Sequence, residues 1–392
     1  MTPGEKTSWT CERARATGLD LCGIVSMDGN GNEDGGAFSE LKNLPEWLSR
    51  GYAGEMKYLW DARRGDPRSV LEGARSLIVV ALNYNAPFPK SREVAESTSD
   101  DPPRGWISRY AWGDDYHEMI GHKLETLLSE MRAEFSEPFT ARMYVDTGPI
   151  IERVAAKYAG LGWLAKNTFL INQQIGSWLF LGVIITTLEL EATLGPGEPP
   201  PADLCGSCTR CLDACPTRAF PQPYVLDGRR CISYLTIELR EAIPESLRSQ
   251  MGNALIGCDI CQDVCPWNRK APVTQLAAFQ PRNAAAISSK SPTEDGGPSL
   301  SLFAPELERI ASLSHQEFSA VFRHSAVKRA KWRGLIRNAC VALGNSTLTK
   351  NSSAYPRVME LLEKLEASED PLISEHARWA MGQITKRSVK DA

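Results

Sequence analysis

Apolar positions along the first 190 residues follow two rhythms. Residues 19–26 and 76–84 are short, apolar and partly β-branched, the text of buried strands. Between residues 115 and 135, Ile120, Leu124, Leu127, Leu128, Met131 and Phe135 recur on one face at 3.6-residue spacing, which predicts an amphipathic helix. Residues 142–145 predict a short strand. Pro149 suits the first turn of a helix that ends near Gly160 and Gly162. Residues 177–190 read as a strand again, and the polar, Pro-containing stretch 86–104 as a surface loop.

Further along, GPGEPPP at residues 195–201 reads as a linker, a cysteine-rich module runs to about residue 272, and a Ser/Ala/Pro/Gly-rich stretch at 280–299 reads as a second linker. From residue 301 the pattern is short helices. Residues 332–343 and 375–384 carry the similar texts RNACVALGN and HARWAMGQI, about one helical repeat apart. Such pairing predicts a small α-solenoid, with an ordinary helical domain as the alternative. Three domains are expected: 1–195 of mixed α/β (α+β) character, 196–280 a ferredoxin-like module, and 300–392 helical.

Composition narrows the class. A chain of 392 residues with 42% hydrophobic and 23% charged residues is too long for one ordinary domain and too apolar to be disordered throughout. The longest apolar run, about residues 178–188, falls short of the roughly 20 residues of a membrane span. The opening MTPGEKTSWT has no charged-then-apolar leader. A soluble, cytoplasmic chain with no membrane partner is expected. The net charge of -4 excludes a strongly basic protein, yet residues 301–392 hold 14 Lys/Arg against 10 Asp/Glu and residues 1–300 hold 30 against 38. That asymmetry points to an anionic partner for the C-terminal end.

Eight of the 11 cysteines lie between Cys205 and Cys265. In a reducing compartment, clustered cysteines indicate metal ligands rather than disulfides. Cys205, Cys208, Cys211 and Cys215 spell C-x2-C-x2-C-x3-C before Pro216, the bacterial ferredoxin run, whose fourth cysteine serves the other cluster in two-cluster proteins. A second run, Cys258, Cys261 and Cys265 before Pro266, has Leu255 where its first cysteine would stand, and Cys231 is the natural replacement. Two ligand sets follow: Cys205, Cys208, Cys211 and Cys265; and Cys215, Cys231, Cys258 and Cys261. Structural zinc is the alternative, but it favours separated C-x2-C pairs. Cys11, Cys22 and Cys340 read as small buried hydrophobes. Two clusters imply electron transfer, and the rest of the chain must supply what the electrons reach.

The texts MYVDTGPIIERVAAKYAGLGWLAKNTFLI (residues 143–171), CGSCTRCLDACPTRAF (205–220), RCISYLT (230–236) and GCDICQDVCPWN (257–268) resemble the epoxyqueuosine reductases, cobalamin-dependent iron–sulfur enzymes of tRNA modification. The resemblance covers most of the chain, including HEAT-like C-terminal helices, and weakens at residues 28–36, 86–104 and the second linker. It implies a cobalamin held over two [4Fe–4S] clusters in the N-terminal region. It also implies a tRNA anticodon stem-loop carrying epoxyqueuosine at the wobble position, and reduction of the epoxide to an alkene, giving queuosine. An external electron donor and a monomeric chain complete the expectation.

Individual residues carry two readings each. Asp146 stands before a Thr-Gly-Pro turn and can cap the following helix; the resemblance matches it to a proton donor, a role that calls for a raised pKa. Arg64 and Ser108 stand where the resemblance implies contact with the corrin, although Arg64 also suits a solvated surface. Lys166 and Asn167 can reach a corrin amide or substrate, or end a helix. Leu170 and Leu181 supply an apolar wall to the corrin or ordinary core. Asp115-x-His117-x3-Gly121 is one residue longer than a D-x-H-x2-G cobalt-ligating text, so His117 is read as structural or as a pocket residue, and the corrin as lacking a histidine ligand. Lys328, Arg329, Lys331, Arg333 and Arg337 near Trp332 suit a phosphate backbone, or a solvated helix face. The competing functions are a small-molecule corrinoid reductase of reductive-dehalogenase type and an electron-transfer protein that reactivates a cofactor elsewhere.

Overall fold

A computed structural model describes residues 1–27, 38–97, 102–282 and 301–390. The glycine-rich stretch 28–36 and residues 283–299 of the expected second linker lie outside the described residues. The first region contains α1 (Pro3–Ala16), β1 (Leu21–Ser26), α2 (Leu44–Ser49), β2 (Ser76–Asn83), α3 (Ser91–Ser97), β3 (Trp106–Ile107), α4 (Tyr116–Glu134), β4 (Ala141–Tyr144), α5 (Glu152–Tyr158), β5 (Trp163–Leu164), β6 (Leu170–Ile171) and β7 (Leu179–Thr186).

Four of these strands form one antiparallel sheet in the order β1-β2-β7-β4. The two central strands alternate their side chains between two cores, as a period of two requires. Leu77, Val79, Val183 and Ile185 pack with Ile150, Val154 and Ala155 of the α5 side. Ile78, Val80, Phe180 and Ile184 pack with Ile120, Leu124 and Leu127 of α4 and with Ala14 of α1. The result is a helix–sheet–helix sandwich of α+β type. Every apolar residue named for the predicted helix at 115–135 is buried. Gly182 lets α4 cross close to the sheet: a Cβ there would stand 2.8 Å from Ile120 Cγ2.

Two expectations need correction. Pro149 does not open a helix, because α5 begins at Glu152 with Ile151 as its N-cap. The chain first makes a tight turn in which Asp146 has φ 59° and Thr147 N–H donates to Val145 O at 2.6 Å. Residues 86–104 are not loop throughout, since they contain α3. Ser91 Oγ donates to Ile107 O at 2.9 Å, and Ala95 is buried beside Trp106. Tertiary burial overrides the polar local text there.

The module and tail contribute α6 (Arg210–Asp213), α7 (Ile232–Ile237), α8 (Glu245–Arg248), β8 (Ala254–Ile256), α9 (Ile260–Asp263), α10 (Leu307–Ala311), α11 (His315–Val321), α12 (Lys331–Asn345), α13 (Tyr355–Glu366) and α14 (Pro371–Lys390). β8 pairs in parallel with β3, so the module joins the first region through a ladder. α6 packs on α9, and α12 packs on α14, which also carries α13. The two similar texts thus lie on neighbouring helices. One continuous core holds Ile107, Trp112, Leu255, Ile256, Phe322, Ile336 and Ala380, drawn from all three sequence regions. Among the described residues no helix is long and apolar enough to cross a membrane.

Leu124 is fully buried where α4 meets the sheet. Leu124→Ala is expected to cost about 2–5 kcal/mol, read as a lower urea midpoint in equilibrium unfolding.

Candidate active site and cysteine module

None of the eight module cysteines forms a disulfide. Cys211 lies within electrostatic reach of Cys265, Cys205 and Cys208, while Cys258 feels Cys231 and Cys215. Cys261 faces Cys258 and Cys231 foremost. Cys231 stands at the N-terminus of α7, and α6 packs on α9, so the two cysteine runs lie side by side.

The loops that carry these thiols are held by side chains of the first region. Lys166 Nζ donates to Gly206 O at 2.6 Å and to Cys208 O at 3.1 Å. Asn167 Nδ2 donates to Cys261 O at 3.3 Å. Ser108 Oγ donates to Asp259 Oδ1, and Arg109 N–H donates to Asp259 Oδ2 at 2.7 Å. Gly257 precedes Cys258 at φ 69°, and a Cβ there would stand 2.6 Å from Ser108 Cβ. Only glycine meets both demands. Arg337 and Asn338 of α12 add a second layer. Arg337 donates to Leu235 O, Leu239 O and Glu241 O, and Asn338 Nδ2 donates to Thr236 O and Leu255 O at 2.8 Å.

A second constellation surrounds Asp146. Its side chain is 67% exposed, yet Tyr58, Tyr110, Tyr116, His117, Glu152, Arg153 and Arg329 all face its charge. It caps no helix. Tyr116 O–H donates to Asp146 Oδ2 at 2.9 Å, and its ring is fixed by stacking on Phe180 at 4.2 Å. His117 Nε2 stands 3.7 Å from the same oxygen. On the other side His117 Nδ1 meets Asp115 Oδ1 at 2.6 Å, and Asp115 also caps α4 by accepting from His117 N–H at 3.0 Å. A non-glycine residue at positive φ is uncommon, and asparagine and aspartate tolerate it best. At Asp146 that backbone aims the carboxylate at α4.

Charge states follow from this geometry. Burial opposes a charge on His117, but hydrogen bonds and charge from Asp115 and Asp146 outweigh it and raise the imidazole pKa to about 9. The positive helix N-terminus also disfavours the imidazolium, and the paired carboxylates prevail. Packed groups around the turn work against ionised Asp146 even though its side chain is exposed, yet the donors His117 and Tyr116 hold its carboxyl below the ordinary range. Among the chain's own groups, the Asp146 carboxyl is thus held low and the His117 imidazole high. Glu152, at the start of α5, is pushed up to about 7 by burial and by the Asp146 charge.

The other expected residues separate into groups. Arg64 is not a solvated surface charge. It is buried, its Nε–H donates to Tyr58 O at 3.2 Å, and its guanidinium lies 5.6 Å from the Tyr58 ring. Leu170 is buried in β6 against the α5 core, and Leu181 is half-buried in β7. Of the basic set, Arg337 is fully buried and leaves the surface. Arg329 pairs with Glu238 at 2.9 Å and Arg333 with Asp370, while Lys328 and Lys331 are exposed. Sequence reasoning did not single out Tyr58, Tyr116, Glu152, Arg153 or Asp259. Tyr116 and Asp259 each sit beside a residue that it did weigh, and this adjacency was the available signal.

A family model described as epoxyqueuosine reductase QueG, DUF1730 matches residues 64–147, and one described as a 4Fe-4S double cluster binding domain matches residues 204–268. The second match decides the choice between zinc and iron–sulfur for the paired clusters. The chain is 39% identical over 351 residues to the epoxyqueuosine reductase of Salmonella typhimurium, covering 88% of this chain and 82% of that one. It superposes on a crystal structure of epoxyqueuosine reductase with an epoxyqueuosine-modified tRNA-Tyr stem loop with TM-score 0.80 at 29% identity, over 97% of this chain and 90% of that one. A Bacillus subtilis epoxyqueuosine reductase, solved with its catalytic aspartate loop swung out of the active site, gives TM-score 0.78 at 28% identity over the same shares.

Cys231 lies outside both runs, so its ligand role is separately testable. Cys231→Ala, loaded anaerobically, is expected to lose about half of the iron and acid-labile sulfide, measured by elemental and sulfide analysis.

Proposed function

The chain belongs to the epoxyqueuosine reductase family, and from that membership we propose that it reduces epoxyqueuosine to queuosine in the tRNA anticodon with His117 and Asp146 handling the proton. The observation that supports the proton roles is the chain of Asp115, His117 and Asp146. Conversion of the epoxide to the alkene takes two electrons and two protons and releases the oxygen as water. When bound, cobalamin supplies the reducing metal centre for C–O cleavage, and the two [4Fe–4S] clusters supply its electrons.

The residues present fit such a cofactor. Glu152 Oε1 is a buried oxygen with no hydrogen-bond partner among the described residues. Arg64 is buried with guanidinium N–H groups beyond the one spent on Tyr58. We assign Arg64, Glu152 and the apolar surface of Leu181 to holding the corrin, which carries many amide groups. Ser108, Lys166, Asn167 and Leu170 act instead by fixing the cluster loops and the core beneath them.

Asp146 presents its carboxyl to the departing oxygen. An ionised Asp146 has no proton to give, so His117 stores it and passes it across the 3.7 Å gap as substrate covers the exposed carboxylate. Desolvation then raises the carboxyl toward the pKa a donor needs. Asp115 keeps the imidazole oriented and charged. Tyr116 steadies the acceptor oxygen. The Bacillus subtilis relative with its catalytic aspartate loop swung out is consistent with a role for the turn at residues 145–148.

The stem-loop partner is read from the relative solved with tRNA. Lys328 and Lys331 are its phosphate contacts in this proposal, and the helices α12–α14 are read as HEAT-like support. Membership in this family counts against the small-molecule reductase and the reactivating protein.

Turnover of an epoxyqueuosine-bearing stem-loop by pre-reduced enzyme, followed by nucleoside chromatography, tests the whole reading; no queuosine with cofactors intact would overturn it. Asp146→Asn is expected to lower that turnover about 10²–10⁴-fold with unchanged cluster absorbance. The imidazolium of His117 is present below its pKa of about 9 and lost above it, so wild-type turnover falls as pH rises through that value. His117→Gln removes this limb from the pH profile. Replacing Lys328 and Lys331 by alanine weakens stem-loop binding and flattens its salt dependence by about 0.7–0.9 in log–log slope for each phosphate no longer neutralised, read from affinities at several ionic strengths.

A further inference from the structure

A cleft of about 790 Å³, lined by none of the residues that face Asp146, opens against the cysteine module. Its walls include Lys90, Arg109, Arg210 and Arg269, set against Asp213 and Asp263. Arg210 and Arg269 are exposed and make no ion pair among the described residues, whereas Lys90 is engaged with Glu93 at 2.6 Å. Cations therefore outnumber carboxyls, and two of them are free for an outside partner.

The position of this cleft on the chain matters more than its size. Arg210 directly precedes Cys211, and Asp213 lies between Cys211 and Cys215. Asp263 lies between Cys261 and Cys265. The floor is thus built from α6 and α9, the two short helices that present cysteines of both sets. The second set reaches the Asp146 side through Gly257, whose Cβ position abuts Ser108 and Tyr110, and Tyr110 faces Asp146. The first set, Cys205, Cys208, Cys211 and Cys265, is the one bordered by Arg210. Electrons destined for the Asp146 side then enter at the set that Arg210 borders.

We propose that this cleft is the docking site of an acidic one-electron carrier protein of the flavodoxin or ferredoxin kind, which reduces the cluster held by Cys205, Cys208, Cys211 and Cys265. This rests on the reading of the module as a two-cluster electron path. Each encounter oxidises the carrier by one electron and reduces the cluster by one, and two encounters supply the pair consumed per epoxide. Carboxylates around the carrier's redox group meet Arg210 and Arg269. Such pairing speeds and orients encounter and weakens with salt.

The test uses anaerobically loaded holoenzyme with Arg210→Glu and Arg269→Glu combined, both at exposed positions outside the ligand sets. Flavodoxin is the probe. The expected result is at least a tenfold slower reduction of the clusters by flavodoxin hydroquinone at low salt, seen by stopped-flow absorbance. Binding of oxidised flavodoxin should weaken by a similar factor, and both differences should shrink in high salt. Reduction by dithionite, a small reductant needing no docking surface, should be unchanged. Unchanged flavodoxin binding and rate would overturn the proposal, as would equal slowing with dithionite. Loss of stem-loop affinity in place of flavodoxin affinity would also overturn it and assign the cleft to RNA. Queuosine formation with dithionite as reductant reads the enzymatic function separately, so a failure there is distinct from a failure of docking.

Discussion

The packing of α6 on α9, which sets the two cysteine runs side by side, is the constraint on which this molecule depends. The two helices meet although some fifty residues separate them in sequence. Four residues of helix cannot hold that geometry unaided, since so short a helix lies below the length at which its own hydrogen bonds sustain it. Support comes from outside: Lys166 and Asn167 on the loop carbonyls, Ser108 and the Arg109 amide on Asp259, and Arg337 and Asn338 on the backbone around α7 and β8. Buried charge is tolerable at Arg337 because its donors end on carbonyls.

The same supports tie electron delivery to the catalytic face. Ser108 follows β3, β3 pairs with β8, and β8 leads directly into Gly257 and Cys258. Tyr110, two residues past Ser108, faces both Asp259 and Asp146. The module and the Asp146 cluster are thus joined through short backbone segments and packed rings.

At the acid pair, electrostatics divides the labour. A carboxylate flanked by an imidazolium and a phenol is a poor acid, and an imidazole between two carboxylates is a well-stocked proton store. The geometry serves both states because Asp115 performs two tasks, capping α4 and gripping the ring. Arg329 brings the C-terminal helices into the same field, its guanidinium 5.8 Å from the Tyr58 ring and paired with Glu238. The segment leading into α12 and the cluster around Asp146 thus share charged neighbours.

Periodicity alone was enough to place β1, β2, β7 and α4, because their apolar positions answer to burial on one face or on two. Spacing was enough to mark residues 204–268 as a double-cluster module, because the geometry of a cluster is written in short intervals. The helix start at Glu152, the burial of α3, Arg64 and Arg337, and the charge of Asp146 were decided by tertiary structure. Each depends on a group distant in sequence or on a backbone turn: Ile107 for α3, the carbonyls around α7 for Arg337, and α4 for Asp146. A pKa belongs to a neighbourhood, and the neighbourhood of Asp146 exists only once α4 and the turn after β4 have met.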